Sequence, residues 1–221
     1  MLYTLNSLGL AFDGEGKWPE AEAVHREEVA AWRKHAGNED PETLFRLRRL
    51  GFALEAEGKW PEAEAVWRES LAAWRKRGGN EEPQSVYTLR KLGSALESEG
   101  KWSEAESLHR EAMAISRKRG GNEDPEALAD LGRLVSDLVA QTKFGEAEQL
   151  LGVVLTSAFV SRPSSLYLQW QRVDLMGLQG RWQEATADAV LILKVEPTES
   201  FNYHRLAGLL AITHDLSLIH I

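Results

Sequence analysis

The sequence predicts an all-α protein built as a solenoid of antiparallel helix pairs. The stretch GKWPEAEAV stands at residues 16–24 and again at residues 58–66, and the related GKWSEAESL follows at residues 100–108. The tryptophan of this stretch therefore recurs every 42 residues. Leucines between the copies recur at helical spacing. Self-similarity at a fixed period of this size indicates stacked repeats, each of which buries its apolar face only against its neighbours.

The first helix of a repeat is expected to begin at a proline. Proline suits the first helical position because its missing N–H would be unpaired there in any case. An acidic residue precedes each of these prolines, and we expect Asp40 and Asp124 to be good N-caps and Glu82 a poorer one. The prolines that begin the first helices are Pro41, Pro83 and Pro125.

The second helix of the second repeat is expected over residues 61–77. A short break at residues 57–60 precedes it, and Gly58 can adopt the left-handed conformation that ends the helix before it. Acidic residues near its start and basic residues at its end complement the helix dipole. A Gly-Gly pair then ends the helix.

Two degenerate copies of the stretch extend the pattern: TKFGEAEQL begins at residue 142 and GRWQEATAD at residue 180. We therefore expect a single array over residues 1–215, with five repeats and a partial sixth. The fourth repeat departs from the pattern, because Val135 and Thr142 stand where glycines are expected. The repeats cover about residues 1–43, 44–85, 86–127, 128–165, 166–199 and 200–215.

The helix pairs resemble the tetratricopeptide repeat in three kinds of residue: the glycine of the first helix, the aromatic residue of the turn and the alanine of the second helix. The 42-residue period and the Gly37-x-x-x-Pro41 linker are similar to the kinesin-light-chain type of this repeat. The resemblance implies a right-handed superhelix with a concave surface lined by first helices. The residues that carry it are Gly9, Trp18, Ala21, Gly51, Trp60, Ala63, Gly93, Trp102, Ala105, Phe144, Ala147, Trp182 and Ala185.

Composition and charge limit the function. A net charge of -8 gives no electrostatic footprint for nucleic acid, which binds basic surfaces. The absence of cysteine excludes disulfides, thiolate catalysis and cysteine-based zinc sites. The longest apolar runs are shorter than the roughly 20 residues that a membrane span requires, and the first residues do not read as a secretory leader. We expect a cytoplasmic protein that binds neither nucleic acid nor membranes; its oligomeric state is left open.

The sequence contains no pattern of an enzyme, a metal site or a cofactor site. His25 and His109 occupy the place of Trp67 in the second repeat, which we interpret as a half-buried packing position. Glutamate pairs recur at one place in successive repeats, whereas a catalytic pair would occur once. The sequence lacks a phosphate-binding glycine loop, a nucleophile elbow and a His-Glu-x-x-His motif. It therefore predicts a non-catalytic protein without cofactor or metal.

The candidate binding residues lie on the first helices, on the face that avoids the leucine-glycine stripe. Arginines flanked by aromatic rings suit a peptide that carries a carboxylate, because guanidinium binds carboxylate in a bidentate manner. An equally weighted alternative is that Arg48 and Arg90 are solvated charges balanced by Glu55 and Glu97. The candidate residues are Tyr3, Asn6, Phe45, Arg48, Phe52, Tyr87, Arg90, Ser94, Tyr167 and Trp170.

The function expected from this pattern is a non-catalytic scaffold that binds a peptide or a partner protein in the concave groove, and an acidic or carboxylate-bearing segment is one candidate partner. The alternative is an accessory segment of a larger kinase-like signalling enzyme, because the array resembles the tails of such bacterial proteins. We also expect the chain to be a fragment of a larger gene product, and residues 216–221 to be a scar derived from a sequencing adaptor. An RNA-reading helical repeat and a stand-alone hydrolase are disfavoured.

Overall fold

The computed structural model describes residues 2–155, 165–195 and 200–213. Within these ranges the chain forms eleven helices and no strand, which confirms the all-α prediction. The helices are α1 (Leu2–Glu15), α2 (Trp18–Ala36), α3 (Pro41–Ala56), α4 (Trp60–Gly78), α5 (Pro83–Ser98), α6 (Trp102–Gly120), α7 (Pro125–Ala140), α8 (Phe144–Val154), α9 (Leu166–Leu178), α10 (Trp182–Val195) and α11 (Ser200–Thr213).

The chain divides into two compact parts, an N-terminal part of residues 1–115 and a C-terminal part of residues 116–221. In the N-terminal part, each helix from α1 to α4 packs against the next one in the chain. In the C-terminal part, α7 packs on α8, and α10 packs on both α9 and α11. The predicted pairing of consecutive helices is therefore present in each part.

The first helices begin where the prolines predict, and their N-caps are made by side chains. Asp40 accepts a hydrogen bond from the Glu42 backbone N–H at 2.9 Å. Glu82, expected to be a poorer cap, accepts from two backbone N–H groups, those of Gln84 at 2.6 Å and Ser85 at 3.1 Å. Its longer side chain folds back over the first turn and caps the helix as an aspartate would.

The second helix of the second repeat begins one residue earlier than expected and ends one residue later, at Trp60–Gly78. Gly58 in the turn before it has φ 72°, which confirms the left-handed conformation predicted there. Thr142 holds the equivalent place in the fourth repeat with φ 59°, so the turn keeps its geometry without glycine. An L-residue with a side chain adopts this conformation only at a cost.

The first-helix glycine brings the two helices of a repeat close together. A Cβ atom built on Gly51 would lie 2.5 Å from Cζ2 of Trp67, so the indole occupies the space that a side chain would need. His25 fills the same space against Gly9, as His109 does against Gly93. The interpretation of these two histidines as half-buried is wrong, because each is 0% exposed. They are core residues that replace a tryptophan.

The fourth repeat replaces this contact with a different one. Val135 stands at the glycine position of α7 and is buried. The close approach moves one turn earlier, to Gly132, where a Cβ atom would lie 2.4 Å from Cε1 of Tyr167 on α9. In this repeat the glycine therefore serves the contact between two first helices rather than the contact within a pair.

Over the residues that the structure describes, no helix combines the length and the apolar character needed to cross a membrane.

Candidate partner-binding surface

The candidate surface lies on α3 and α5, the first helices of the second and third repeats. Positions 45, 48 and 52 share one face of α3 because residues three and four apart are neighbours on a helix. Tyr87 of α5 lies across from them. Phe45, Arg48 and Tyr87 are half-buried, and Phe52 is 38% exposed. The structure therefore brings together four of the predicted residues, from two repeats, on one surface.

Arg48 is held between two aromatic rings. Its Cζ atom lies 4.6 Å from the centroid of the Phe45 ring and 5.9 Å from that of Tyr87. Among the described residues it has no hydrogen bond or ion pair to a carboxylate. A guanidinium stacked on rings in this way keeps its N–H donors free in the plane of the group, where a ligand can accept from them.

Glu55, one of the acids proposed to balance the arginines, interacts with other residues. It accepts a hydrogen bond from Trp67 Nε1 at 2.8 Å and forms an ion pair with Lys91 Nζ at 2.9 Å. It therefore does not neutralise Arg48. The same lysine also lies 4.4 Å from the centroid of the Phe52 ring, which fixes that ring beside Trp67.

A cavity of about 340 Å³ opens beside Arg48, between α3, α4 and α5. Its walls are mostly aromatic and polar. Partial burial raises the pKa of the Tyr87 hydroxyl. A pocket of this kind can hold one side chain or a short stretch of extended peptide. The cavity lining includes Phe45, Arg48, Trp74, Gln84, Tyr87 and Thr88.

Two further arginines surround Phe45, and sequence reasoning missed both. Arg46 is 7% exposed and donates to Asn6 Oδ1 at 2.9 Å, while Arg49 pairs with Asp13 Oδ2 at 3.0 Å. Their Cζ atoms lie 5.1 and 4.8 Å from the Phe45 centroid. The sequence signal for these two arginines was residues 46–49, Arg-Leu-Arg-Arg. Three arginines within one helical turn cannot all have the same surroundings.

Other predicted residues have structural contacts. Asn6 is the acceptor for Arg46, and Arg90 and Ser94 are half-buried on α5. The side chain of Tyr3 lies outside the described residues. Asn6, Arg90 and Ser94 do not line the cavity beside Arg48.

In the C-terminal part, the two predicted aromatic residues differ in exposure. Tyr167 is 59% exposed. Trp170 is 6% exposed, belongs to the core of α9 to α11, and has Arg205 Cζ 4.2 Å from its ring centroid. Trp170 is expected on the open face of its helix, but the structure places its ring in the core.

The buried His25 has no nitrogen available for a ligand. Its Nδ1 lies 2.9 Å from Glu28 Oε2, and its Nε2 lies 3.1 Å from Asp13 Oδ1. Both partners belong to the same helix pair. The prediction that this histidine is structural is therefore confirmed by its hydrogen bonds as well as by its burial.

Solved structures with the same fold include three helical-repeat proteins. A kinesin-light-chain candidate from Podosopora anserina with nearly identical TPR-like repeats aligns with a TM-score of 0.77 and 25% identity, covering 88% of this chain and 94% of that one. BtubC (BKLC) from P. vanneervenii aligns at 0.67 and 14%, covering 96% and 85%. A Parabacteroides merdae tetratricopeptide repeat protein aligns at 0.71 and 18%, covering 96% and 73%.

Family models agree with the structural likeness. A tetratricopeptide repeat model matches residues 1–42, and a second model of the same description matches residues 43–118. Together they span more than half of the chain. No curated protein sequence matched the chain. The chain belongs to the tetratricopeptide repeat family.

Proposed function

We propose that this protein is an interaction scaffold that binds an acidic peptide segment of a partner protein on the surface around Arg48. The observation that carries the proposal is the guanidinium of Arg48, stacked between Phe45 and Tyr87 at the edge of a cavity and without a carboxylate partner among the described residues. The same cavity offers the side-chain amide of Gln84 as a hydrogen-bond donor.

The chemistry of the surface fits a carboxylate. Guanidinium and carboxylate form two parallel hydrogen bonds, and such charge-assisted bonds are shorter and stronger than neutral ones. Stacking on two rings restricts Arg48 before binding, so less conformational entropy is lost when the ligand arrives. Aromatic residues and arginine are also the residue types that dominate the free energy of protein interfaces.

Tetratricopeptide repeat proteins are in general non-catalytic, and the polar groups near the cavity suit binding better than catalysis. Glu42, the acid that lines the cavity, forms an ion pair with Arg46 at 3.2 Å. No contact among the described residues favours the alternative of an accessory segment of a kinase-like enzyme. The proposal is therefore limited to binding.

The test uses a display library of short peptides selected for binding to the complete chain. We expect the selected peptides to contain Asp or Glu, and Arg48→Glu to weaken their binding at least tenfold, about 1.4 kcal/mol, as measured by fluorescence anisotropy. The matched control is Arg119→Glu on α6, an exposed arginine that, like Arg48, forms no ion pair among the described residues. Equal losses of peptide affinity in the two variants, or selected peptides that lack Asp and Glu, would contradict the proposal that this surface binds acidic peptides.

A further inference from the structure

The cavity beside Arg48 lies where a long side chain stands at the equivalent place one repeat earlier. Between α1, α2 and α3 that side chain is Arg46, which is 7% exposed and has its Cζ atom 5.7 Å from the centroid of the Trp32 ring. One repeat later, Thr88 stands at the position of Arg46 and Trp74 at that of Trp32. The shorter side chain leaves Trp74 as a wall of the cavity.

The groups that surround Arg46 are hydrogen-bond acceptors. Its guanidinium donates to Asn6 Oδ1 at 2.9 Å and to Glu42 Oε2 at 3.2 Å, and its Nε lies 3.4 Å from Glu28 Oε1. The three acceptors belong to α1, α3 and α2. The interface between the first and second repeats therefore holds a buried cation among acceptors from three helices.

In the interface between the second and third repeats, each of these acceptors gives way to a group that can donate. The replacements at the equivalent positions are Arg48 for Asn6, Ser70 for Glu28 and Gln84 for Glu42. All three new side chains line the cavity. Guanidinium, hydroxyl and amide groups donate hydrogen bonds. A space that suits a planar cation in one interface is therefore surrounded by donors in the next, where a planar acceptor such as a carboxylate fits.

Ser70 is the most buried of the three donors, at 1% exposed, and it lines the cavity from α4. Its hydroxyl forms no hydrogen bond with any residue that the structure describes. Nearly all buried polar side chains in folded proteins have a hydrogen-bond partner. The hydroxyl therefore indicates that a polar group enters the cavity and reaches its inner end.

The charges at the cavity favour an anion as this group. Glu42 also lines the cavity, but Arg46 pairs with it at 3.2 Å and balances its charge. Arg48 has no carboxylate partner among the described residues. Burial of a carboxylate is costly unless an opposite charge and hydrogen bonds accompany it. The guanidinium, the amide and the hydroxyl together provide both.

We propose that the cavity is a subsite for a glutamate side chain of the bound peptide, and that Ser70 makes it select glutamate over aspartate. The glutamate carboxylate accepts hydrogen bonds from Arg48, Gln84 and Ser70, while its stem packs on Trp74. The stem of aspartate is one methylene shorter, so its carboxylate pairs with Arg48 at the edge of the cavity without reaching Ser70. The inference rests on the proposed function, because the peptide must bind at Arg48.

The test uses a peptide selected for binding to the complete chain, synthesised with glutamate, aspartate or glutamine at each acidic position in turn. At one position we expect glutamate to bind about fivefold more tightly than aspartate, the effect of one hydrogen bond, as measured by fluorescence anisotropy. Ser70→Ala should remove this preference by weakening the glutamate peptide and leaving the aspartate peptide unchanged. The matched control is Ser98→Ala, an exposed serine on α5, which should change neither affinity.

A second variant fills the cavity by copying the preceding interface. Ser70→Glu combined with Thr88→Arg reproduces the pair of Glu28 and Arg46, an arrangement that this fold already accommodates. Circular dichroism checks that the double variant is folded. We expect it to bind the glutamate peptide about tenfold more weakly, about 1.4 kcal/mol, and to bind the glutamate and aspartate peptides equally.

The subsite and the proposed function fail in different ways. Equal affinities for the glutamate and aspartate peptides in the unchanged chain, or a preference that survives both Ser70→Ala and the double variant, would overturn the subsite. Binding that still requires an acid and Arg48 would then leave the proposed function standing. A glutamine peptide that binds as tightly as both acidic peptides, with no loss in Arg48→Glu, would overturn the two together.

Discussion

At the scale of single residues, the contact between Gly51 and Trp67 sets the distance between the two helices of the second repeat. A Cβ atom on Gly51 would lie 2.5 Å from the indole, and Trp67 is 0% exposed, so the ring has nowhere to move. The indole N–H is tied to Glu55 as well. The glycine is therefore required by packing and not by backbone conformation, since its φ lies in the ordinary helical region.

This contact predicts the effect of one added methyl group. We expect Gly51→Ala to destabilise the protein by about 1–3 kcal/mol, because overpacking of a close contact costs about that much. The matched control is Gly14→Ala on α1, where a Cβ atom would meet nothing within 4 Å; alanine should stabilise that helix by roughly 0.5–1 kcal/mol. Urea unfolding of both variants measures the difference. Equal effects would contradict the packing role of Gly51.

Replacement of the turn residue Thr142 by glycine should have the opposite effect, an increase in stability. Its φ of 59° is strained for a threonine, and the equivalent Gly100 has φ 74°. Thr142→Gly should therefore stabilise the fourth repeat by about 1 kcal/mol, and Gly100→Thr should destabilise the third by a similar amount. Thermal unfolding checks both. A loss of stability in Thr142→Gly would mean that the threonine side chain makes a contact that outweighs its backbone strain.

At the scale of helices, the sequence is enough to place the beginnings and ends of elements but not the contacts of polar side chains. Pro41 and Gly58 determine local backbone geometry, so their effect can be predicted from the residue alone. The basic residue that pairs with Glu55 is determined by the packing of two neighbouring helices, and the structure places Lys91 there instead of the expected Arg48. The exposure of Trp170 could not be predicted for the same reason, because rotation of α9 by a fraction of a turn moves the ring from surface to core.

Carboxylates that join neighbouring second helices should make the stability of the array sensitive to acid. Partial burial raises the pKa of the Glu22 carboxyl, but hydrogen bonds from Lys59 and Arg26 outweigh burial and lower the pKa to about 2. Glu64, with Lys101 and Arg68 as its partners, has a pKa of about 2 for the same reasons. Each carboxyl is thus ionised more readily in the folded chain than in the unfolded one.

The sign of the pH effect follows from this difference. The two carboxylates stabilise the fold at pH values above the ordinary glutamate pKa of 4.5, and this contribution is lost as the pH falls from there through about 2. The melting temperature measured between pH 6 and pH 2 should fall less steeply in a Glu22→Gln, Glu64→Gln variant. That variant should also be less stable at pH 7. An identical pH profile in the two proteins would contradict the role of these carboxylates.

At the scale of the whole molecule, the repeated residues build the array and the non-repeated residues give one surface its chemistry. The glycine, tryptophan and alanine positions recur along the chain. Position 48 of the second repeat is arginine, as is position 90 of the third, but position 132 of the fourth is glycine. The aromatic positions 45 and 87 are followed by Ala129. The stacked arginine is therefore Arg48, which lies between the Phe45 ring of its own repeat and the Tyr87 ring of the third repeat.

The net charge of -8 makes this surface unusual for the molecule. Most described arginines on the second helices of the N-terminal part form ion pairs with acidic residues. Arg46 and Arg49 on α3 also form ion pairs. An acidic partner would be repelled by the net charge of the protein at long range and attracted by Arg48 at short range. Binding should therefore depend on short-range geometry, which a paired substitution can measure.

A double-mutant cycle between Arg48 and the acid of a selected peptide tests the central claim most directly. Arg48→Gln in the protein and Glu→Gln in the peptide are combined, and the four binding constants are measured by isothermal titration calorimetry. The account predicts a coupling free energy of at least about 1.5 kcal/mol, the lower end measured for close interfacial charge pairs. A coupling near zero, with both single changes still weakening binding, would show that Arg48 does not contact the carboxylate.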